Sequence, residues 1–271
     1  MRHIVLIHGA WQGAWAFEAW RPLLQAAGWQ THAIDLPGNG AHEAGRADLD
    51  GYTDHVLQHL EALDAPAVVV GHSGGGITAS QVAERAPQRV AALVYLAGMM
   101  LPHGMSFAQL VRVCRADYPA FSSGRVEPAL QWNAARSASS VPAAVARELF
   151  LHDCQVVASE RAAARLVPQP ESGRAMTHQL RPARFGRVPR IYVECLQDRS
   201  VILPLQRRMQ ALQPGALRIS LDCGHVPQLA CPQALTAALL PELERTAAAP
   251  SAPLSVPPFP HSRTAPQGAP S

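Results

Sequence analysis

The feature that most constrains the fold is residues 68–76, where a run of valines leads directly into Gly71-His72-Ser73-Gly74-Gly75. A small-residue stretch with helical character, 77–85, follows. A strand, then Gly-x-Ser-x-Gly, then a helix is typical of a nucleophile elbow, a turn so tight that the serine is held in a strained conformation. Gly71 and Gly75 are needed there because a Cβ would clash in the turn. The alternative is an ordinary glycine-rich turn, so Ser73 is a candidate nucleophile.

Apolar strand candidates alternate with helical stretches over most of the chain. Near-continuous apolar strands joined through helices are typical of a doubly wound, mainly parallel α/β sheet that is covered on both faces. We expect strands at 3–8, 29–35, 67–72, 90–97, 189–197 and 216–221, helices at 16–27, 52–63, 76–86, 204–212 and 232–246, and shorter helical pieces at 143–151 and 155–166.

The regular alternation stops between residues 101 and 187. We interpret this segment as a cap, inserted into a core made of 1–100 and 188–246 and placed over the carboxyl ends of the strands, where ligands bind in such folds. Residues 247–271 contain seven prolines together with alanine and serine, a composition that predicts a disordered tail.

The composition excludes several kinds of chemistry. The formal net charge is only +3 and no basic run occurs, so nothing indicates a nucleic-acid partner. All 23 basic residues are arginine, and the lack of lysine excludes a Schiff-base lysine and the lysine of a phosphate-binding loop. The five cysteines are odd in number and form no Cys-x-x-Cys pair, which predicts free thiols in a reducing compartment and no metal site.

No targeting or membrane segment is expected. The first apolar run, 3–8, is too short for a signal peptide, and no apolar stretch approaches the roughly 18 residues of a spanning helix. The sequence therefore predicts a cytoplasmic protein without a membrane partner.

A serine nucleophile needs a general base and a carboxylate that orients this base. With this elbow in a doubly wound sheet, the chain order is serine, acid, histidine, and the acid follows a later strand. Asp198 comes directly after the strand candidate 189–197 and is the preferred acid. Two alternatives stay open: Glu194, which lies inside that strand and reaches its end poorly, and Asp222.

His225 is the preferred general base. It lies at the exit of the turn after the last strand candidate, 216–221, and the only other histidine beyond Asp198 is His261 in the predicted tail. The alternative role for His225 is to cap the helix that starts near Pro232.

Two backbone N–H groups are predicted to stabilise a developing oxyanion. One belongs to Gly74, after the candidate nucleophile and at the start of a helix whose dipole favours negative charge. The other belongs to Ala10, in the loop 8–15 after the first strand, where Gly9 lets the backbone turn its amides inward. This loop also has a structural interpretation, the packing of a helix start, and both interpretations can hold together.

These motifs resemble the α/β-hydrolase superfamily, and within it the branch of plant salicylate-binding methylesterases, hydroxynitrile lyases and bacterial pyrethroid-type esterases. The resemblance covers about residues 3–243. It implies an α/β-hydrolase fold with a six-stranded core and the triad Ser73, Asp198 and His225, in agreement with the assignments above. The segments that carry it are 7–15, 35–38 and 71–75, then 149–154 and 166–170 in the cap, and 188–192 and 206–207 beyond it.

Two positions depart from the lyases that this branch contains. Those enzymes carry a threonine where this chain has Gly9 and a lysine where it has Val226, so the polar groups that bind a cyanohydrin are missing and lyase activity is not expected. The serine at the elbow likewise argues against the dehalogenases and epoxide hydrolases of the superfamily, which use a carboxylate nucleophile.

The sequence therefore predicts a serine carboxylesterase that needs no metal or organic cofactor and hydrolyses a small hydrophobic or aromatic ester through an acyl-enzyme on Ser73. Two other functions stay open: a triad-bearing binding or sensor protein with slow turnover, and a cofactor-free perhydrolase or acyltransferase. Exposed cap helices are compatible with a homodimer. The candidate substrate-binding side chains, each of which also fits ordinary packing, are Trp11, Met99, Met100, Phe107, Leu130, Trp132, Phe150 and Leu151.

Overall fold

A six-stranded sheet forms the centre of the computed structural model, which describes residues 1–42, 45–117 and 126–248. The strands of these residues are β1 (His3–Ile7), β2 (Gln30–Ile34), β3 (Ala67–His72), β4 (Val90–Leu96), β5 (Gln131–Trp132), β6 (Ala138–Ser140), β7 (Gln169–Pro170), β8 (Arg190–Cys195) and β9 (Ala216–Leu221). The large sheet has the order β2-β1-β3-β4-β8-β9, and all neighbouring strands in it are parallel. All six predicted core strands are therefore confirmed.

The α-helices of the described residues follow the strands of the large sheet or lie between β4 and β8. They are α1 (Arg21–Ala26), α2 (Leu49–Glu61), α3 (Gly75–Arg85), α4 (Phe107–Asp117), α5 (Ala143–Leu149), α6 (Val156–Ala164), α7 (Leu203–Leu212), α8 (Pro227–Ala230) and α9 (Pro232–Ala248). No helix in this part of the chain combines the length and the apolar character that crossing a membrane requires.

Both faces of the large sheet are buried because successive apolar residues point to opposite faces of its central strands. In β1, Val5 and Ile7 pack into the core on one face, and Ile4 and Leu6 pack into the core on the other. This is the period-two consequence of a strand whose successive side chains point to opposite faces. The edge strand β9 is partly exposed, as its lower apolar content predicts.

The helix predicted at 16–27 differs from the structure. Ala14–Phe17 forms a 3-10 turn, and the α-helix begins only at Arg21. Pro22 explains the break, because proline lacks the N–H that a continuous helix would need there and is tolerated only in the first turn. At the other end, α9 extends two residues into the predicted tail, 247–271, and the rest of that tail lies outside the described residues.

The segment between β4 and β8 carries its own small core. It contains α4, α5, α6 and a three-stranded antiparallel sheet, β5-β6-β7. Its apolar cluster includes Leu149, Phe150 and Ala162, and the same cluster takes in Trp11 and Val226 from loops of the large sheet. We keep the name cap for residues 101–187, and its core is continuous with the loops at the carboxyl edge of the sheet.

The strand order also places the loops that matter for chemistry. From β1 the chain moves to one side, to β2, and then crosses to the other side, to β3. This reversal makes the gap above β1 and β3 a topological switch point, which is where ligands bind in open α/β sheets. The loops after β1 and β3 meet there.

Candidate active site

Ser73 has the backbone conformation of a nucleophile elbow. Its φ angle is +50°, in the left-handed region that a serine adopts only under constraint. The flanking glycines make this turn feasible. A Cβ on Gly71 would lie 2.7 Å from the Gly75 carbonyl oxygen, and one on Gly75 would lie 2.6 Å from the His8 carbonyl oxygen. The turn therefore leaves Ser73 at the junction of β3 and α3, above the carboxyl edge of the sheet.

A histidine and a carboxylate are paired beside this elbow. His225 Nδ1 lies 2.7 Å from Asp198 Oδ2, and both side chains are almost completely buried. The other carboxylate oxygen accepts the N–H groups of Ser200 (2.7 Å) and Val201 (3.0 Å), which fix its orientation. Since the carboxylate can only accept, Nδ1 carries the proton and Nε2 is the nitrogen available as a base.

The two alternative carboxylates lie elsewhere. Glu194 points to the side of the sheet, where its oxygens bind Arg207 (3.1 Å) and the Ser220 hydroxyl (2.9 Å). Asp222 accepts a hydrogen bond from the Gln197 side chain (2.9 Å) and makes none with His225. Among the three candidates, Asp198 is the one that the structure brings to His225.

His72, next to the elbow serine, joins the elbow to the histidine loop. Its ring lies 4.9 Å from the ring of His225, and its Nε2 is 2.9 Å from the His225 carbonyl oxygen. Burial and the neighbouring His225 hold the pKa of His72 well below its usual value, so the ring is neutral and its one N–H is donated to that carbonyl. No hydrogen bond joins the hydroxyl of the candidate nucleophile Ser73 to another described residue, and such contacts are often long or poorly aligned before substrate binds.

The cap holds the histidine loop from the other side. Asp153 Oδ2 accepts the N–H of Gly224 at 2.5 Å. A Cβ on Gly224 would lie 2.5 Å from the same carboxylate and 2.7 Å from the His152 ring, so a larger residue here would require these side chains to move. Sequence reasoning assigned no role to His152 or Asp153, because no local pattern shows that this cap turn reaches the residue before His225.

The two predicted oxyanion donors lie close together. A Cβ on Gly74 would be 4.0 Å from the backbone nitrogen of Ala10, and neither N–H donates to any described residue. A Cβ on Gly9 would lie 2.8 Å from that of Ser73. A threonine, as in the lyases of the branch, therefore does not fit this backbone without movement.

Contacts from the cap fix the loop that carries Ala10. Trp11 has a φ angle of +62°, which for a tryptophan needs support from its surroundings. Its N–H donates to Gln169 Oε1 (3.2 Å), its carbonyl accepts the N–H of Val167 (2.9 Å), and its indole N–H donates to the Ser139 carbonyl (3.1 Å). No local pattern indicates this role for Gln169, because its partner Trp11 lies 158 positions earlier in the chain.

A cavity of about 780 Å³ opens beside Ser73, and its wall includes Ala10 and Gly74, the two predicted oxyanion donors. Of the predicted substrate-binding side chains, Trp11, Met99 and Phe107 lie on this wall. The cavity lies between the sheet and the cap. The remaining predicted side chains pack outside the wall, in the cap core or the sheet core, and these are Met100, Leu130, Trp132, Phe150 and Leu151.

Phe150 and Trp132 have other contacts instead. The Phe150 ring lies 5.7 Å from that of His225 and stacks on Trp11 at 6.0 Å. Phe150 therefore packs against the histidine ring and is not part of the cavity wall. Trp132 lies under the guanidinium groups of Arg136 and Arg174. No group of three metal-ligating side chains that could hold an ion occurs within 1–42, 45–117 and 126–248.

The parallel sheet, with a left-handed serine at the turn from β3 into α3, has the architecture of an α/β hydrolase. The chain matches the alpha/beta hydrolase family over residues 4–239 and belongs to that family. This match confirms the fold and the superfamily that the motifs indicate.

Named relatives confirm the resemblance to the esterase branch. The chain is 28% identical to the pyrethroid hydrolase of Sphingobium wenxiniae, over 87% of this chain and 85% of that protein. It is 30% identical to methylesterase 7 of Arabidopsis thaliana, over 88% of this chain and 95% of that protein. A crystal structure of the pyrethroid hydrolase PytH matches with a TM-score of 0.80 and 25% identity, over 92% of this chain and all of that one.

Proposed function

We propose that this chain is a serine carboxylesterase in which Ser73, Asp198 and His225 are the catalytic triad. The observation that carries the proposal is the 2.7 Å pair of His225 and Asp198 beside a left-handed serine at a cavity wall. The names of the relatives, a pyrethroid hydrolase and a methylesterase, support an ester as the substrate class.

The mechanism follows from the placement of these groups. Ser73 Oγ attacks the ester carbonyl carbon while His225 Nε2 takes its proton, and the N–H groups of Ala10 and Gly74 stabilise the oxyanion. The carbonyl then re-forms, the bond to the alkoxide breaks, and His225 protonates the departing alcohol. A water molecule, deprotonated by the same histidine, releases the acid from the acyl-enzyme. Asp198 holds the imidazole tautomer throughout.

The cavity supports a hydrophobic or aromatic ester. Its volume lies within the roughly 300–1,000 Å³ of sites for drug-sized ligands, so an ester larger than the small ones predicted from the sequence also fits. Trp11, Met99 and Phe107 supply apolar wall surface beside the nucleophile. We propose a cytoplasmic location on a separate observation, the absence of disulfides among the five cysteines.

The test is hydrolysis of p-nitrophenyl esters with acyl chains of increasing length by the wild type and by Ser73→Ala. We expect turnover by the wild type and a loss on the order of 10⁴-fold in the variant, whose fold is checked by circular dichroism. Turnover that survives in Ser73→Ala would contradict the proposal. Adding a competing alcohol or peroxide to the same assay shows whether the acyl group goes to water, as we propose, or to another acceptor.

A further inference from the structure

Tyr52, on the cavity wall, uses both lone pairs of its hydroxyl oxygen to accept hydrogen bonds. Asn39 Nδ2 lies 2.8 Å from this oxygen and Gln169 Nε2 lies 3.1 Å from it. The side chain is almost completely buried. A buried phenol of this kind normally has a partner for its O–H proton as well.

Contacts with carbonyl oxygens favour one orientation of each amide group, and in this orientation Asn39 Oδ1 has no hydrogen-bond partner among the described residues. Asn39 Nδ2 also donates to the Pro37 carbonyl at 3.2 Å. In Gln169, Oε1 accepts the Trp11 N–H at 3.2 Å, and Nε2 donates to the Pro170 carbonyl at 3.1 Å. Reversing either amide would place an oxygen against a carbonyl oxygen. Both amides therefore point N–H groups at the tyrosine.

This arrangement leaves the hydroxyl proton of Tyr52 without an acceptor. Two donors already occupy its oxygen, so the hydroxyl can contribute only as a donor, and none of the described residues accepts its proton. Tyr52 lies on the wall of the cavity that contains Ser73. An acceptor for this proton can come from a molecule in that cavity.

Thr78 is a second hydroxyl on the same wall. Its residue is completely buried, and its Oγ1 has no hydrogen-bond partner among the described residues. Thr78 lies one helical turn after Gly74 on α3, and side chains on a helix lean toward its N-terminus, here toward the elbow. A buried hydroxyl without a partner costs free energy, so an acceptor supplied by a ligand would satisfy it.

The wall offers few free acceptors for these protons. Its carboxylate and amide side chains, among the described residues, are Glu127, Glu171 and Gln169. Arg174 binds both glutamates, at 2.5 Å and 2.7 Å, and the amide oxygen of Gln169 is taken by Trp11. Each of these side chains is therefore already engaged by another group of the protein.

We propose that the hydroxyls of Tyr52 and Thr78 form a polar subsite for a hydrogen-bond acceptor of the substrate. The inference rests on the proposed esterase function and narrows its substrate class: the ester carries a second carbonyl or ether oxygen, away from the bond that is cleaved. The apolar wall takes the rest of the molecule. A pure hydrocarbon ester would leave both hydroxyls unsatisfied and is the poorer substrate.

The test compares p-nitrophenyl hexanoate with analogues in which an ether oxygen replaces one chain methylene, position by position. A second panel places the same replacement in the alcohol part of acetate esters, followed by titration of the released acid. Each kcat/KM is divided by the rate of hydroxide-catalysed hydrolysis, which removes the inductive effect of the oxygen. The readout is the ratio of this corrected kcat/KM for each ether ester to that for its hydrocarbon partner.

In the wild type, we expect the ether ester to be preferred over its hydrocarbon partner by about tenfold or more at one position. In Tyr52→Phe and in Thr78→Val, this preference should fall by about tenfold, which corresponds to the loss of one hydrogen bond of about 1.4 kcal/mol. Thr53→Val is the matched control, because its buried hydroxyl donates to the Leu49 carbonyl at 2.6 Å and does not line the cavity. This control should keep the wild-type ratio.

Tyr52→Phe also deprives two amides of an acceptor, so its folding is checked by thermal melting, and Thr78→Val supplies a second variant without that effect. Ratios of one or below at every position in the wild type, or ratios unchanged in both variants, would overturn the subsite while leaving the esterase intact. Failure of the wild type to hydrolyse any ester in either panel would overturn both proposals.

Discussion

Replacing Thr78 by valine is expected to stabilise the protein when no ligand is bound. The Thr78 hydroxyl is buried without a partner, whereas valine has nearly the same shape and no polar group. Both residues are β-branched and have similar helix propensity, so the backbone of α3 is little affected. The change therefore removes mainly the desolvation cost of one hydroxyl.

The magnitude follows from that cost. An unsatisfied buried polar group costs about 1–3 kcal/mol, and rotation of the threonine side chain recovers part of it, so we expect a gain of about 1 kcal/mol. For a domain of this size, such a gain raises the melting temperature by about 2–4 °C. A substitution that raises stability at a cavity wall is expected where the native side chain serves ligand binding at the expense of stability.

Urea unfolding of Thr78→Val and Thr53→Val measures this effect against a matched control. Thr53 is also completely buried, but its hydroxyl donates to the Leu49 carbonyl, so its removal should lower the free energy of unfolding by about 1 kcal/mol. The free energies of unfolding of the two variants should thus shift in opposite directions and differ from each other by about 2 kcal/mol, with unchanged m-values. A destabilised Thr78→Val, or equal shifts in both variants, would refute the reasoning.

Three further predictions concern the triad, the cap contact and acid stability. Asp198→Asn should keep the fold and lower kcat on the order of 10⁴-fold, measured with a p-nitrophenyl ester, because His225 loses the acceptor that sets its tautomer. Asp153→Ala should lower kcat about tenfold, because the N–H of Gly224 loses its anchor, and Asp153→Asn should recover most of the rate. Burial lowers the pKa of His178 to about 4, so as the pH falls from about 6.5 the unfolded state binds a proton on this histidine before the folded state does, and the protein loses stability. His178→Leu should therefore recover about 3 kcal/mol of the free energy of unfolding that the wild type loses by pH 4, measured by urea unfolding.

Each of these predictions can fail in a recognisable way. Wild-type kcat in Asp198→Asn would exclude this carboxylate from the triad. An Asp153→Ala variant that changes KM alone would mean that the cap contact shapes the cavity and does not position the histidine. A His178→Leu variant with the same loss of stability between pH 6.5 and pH 4 as the wild type would show that other groups cause the acid sensitivity.

The core of the fold could be predicted because its signals are local. Strands buried on both faces contain runs of consecutive apolar residues, and the valines of β3 lead directly into the glycines of the elbow. The chain order of a doubly wound sheet places the acid and the base after later strands, which made Asp198 the preferred acid and His225 the preferred base. Glu194 and Asp222 stayed open as acids until the structure paired His225 with Asp198. The helix at 16–27 was wrong in its first part because Pro22 interrupts it, a signal that was present in the sequence.

The cavity wall could not be predicted in the same way. Trp132 and Phe150 carry the same apolar character as Trp11 and Phe107, yet the first two pack outside the wall. Which apolar side chains reach the cavity depends on how the cap packs against the sheet, and this cannot be inferred from residue type.

The sequence by itself determined the sheet, the elbow and the chain order of the candidate catalytic groups, because short-range patterns and chain connectivity are enough for these. Only the tertiary structure decided what supports and surrounds them. Gln169 meets Trp11 and Tyr52, and Asp153 meets Gly224, although these partners lie 71 to 158 positions apart in the chain. Contacts of this kind depend on the packing of the cap against the sheet, and so does the free proton that Tyr52 presents to the cavity.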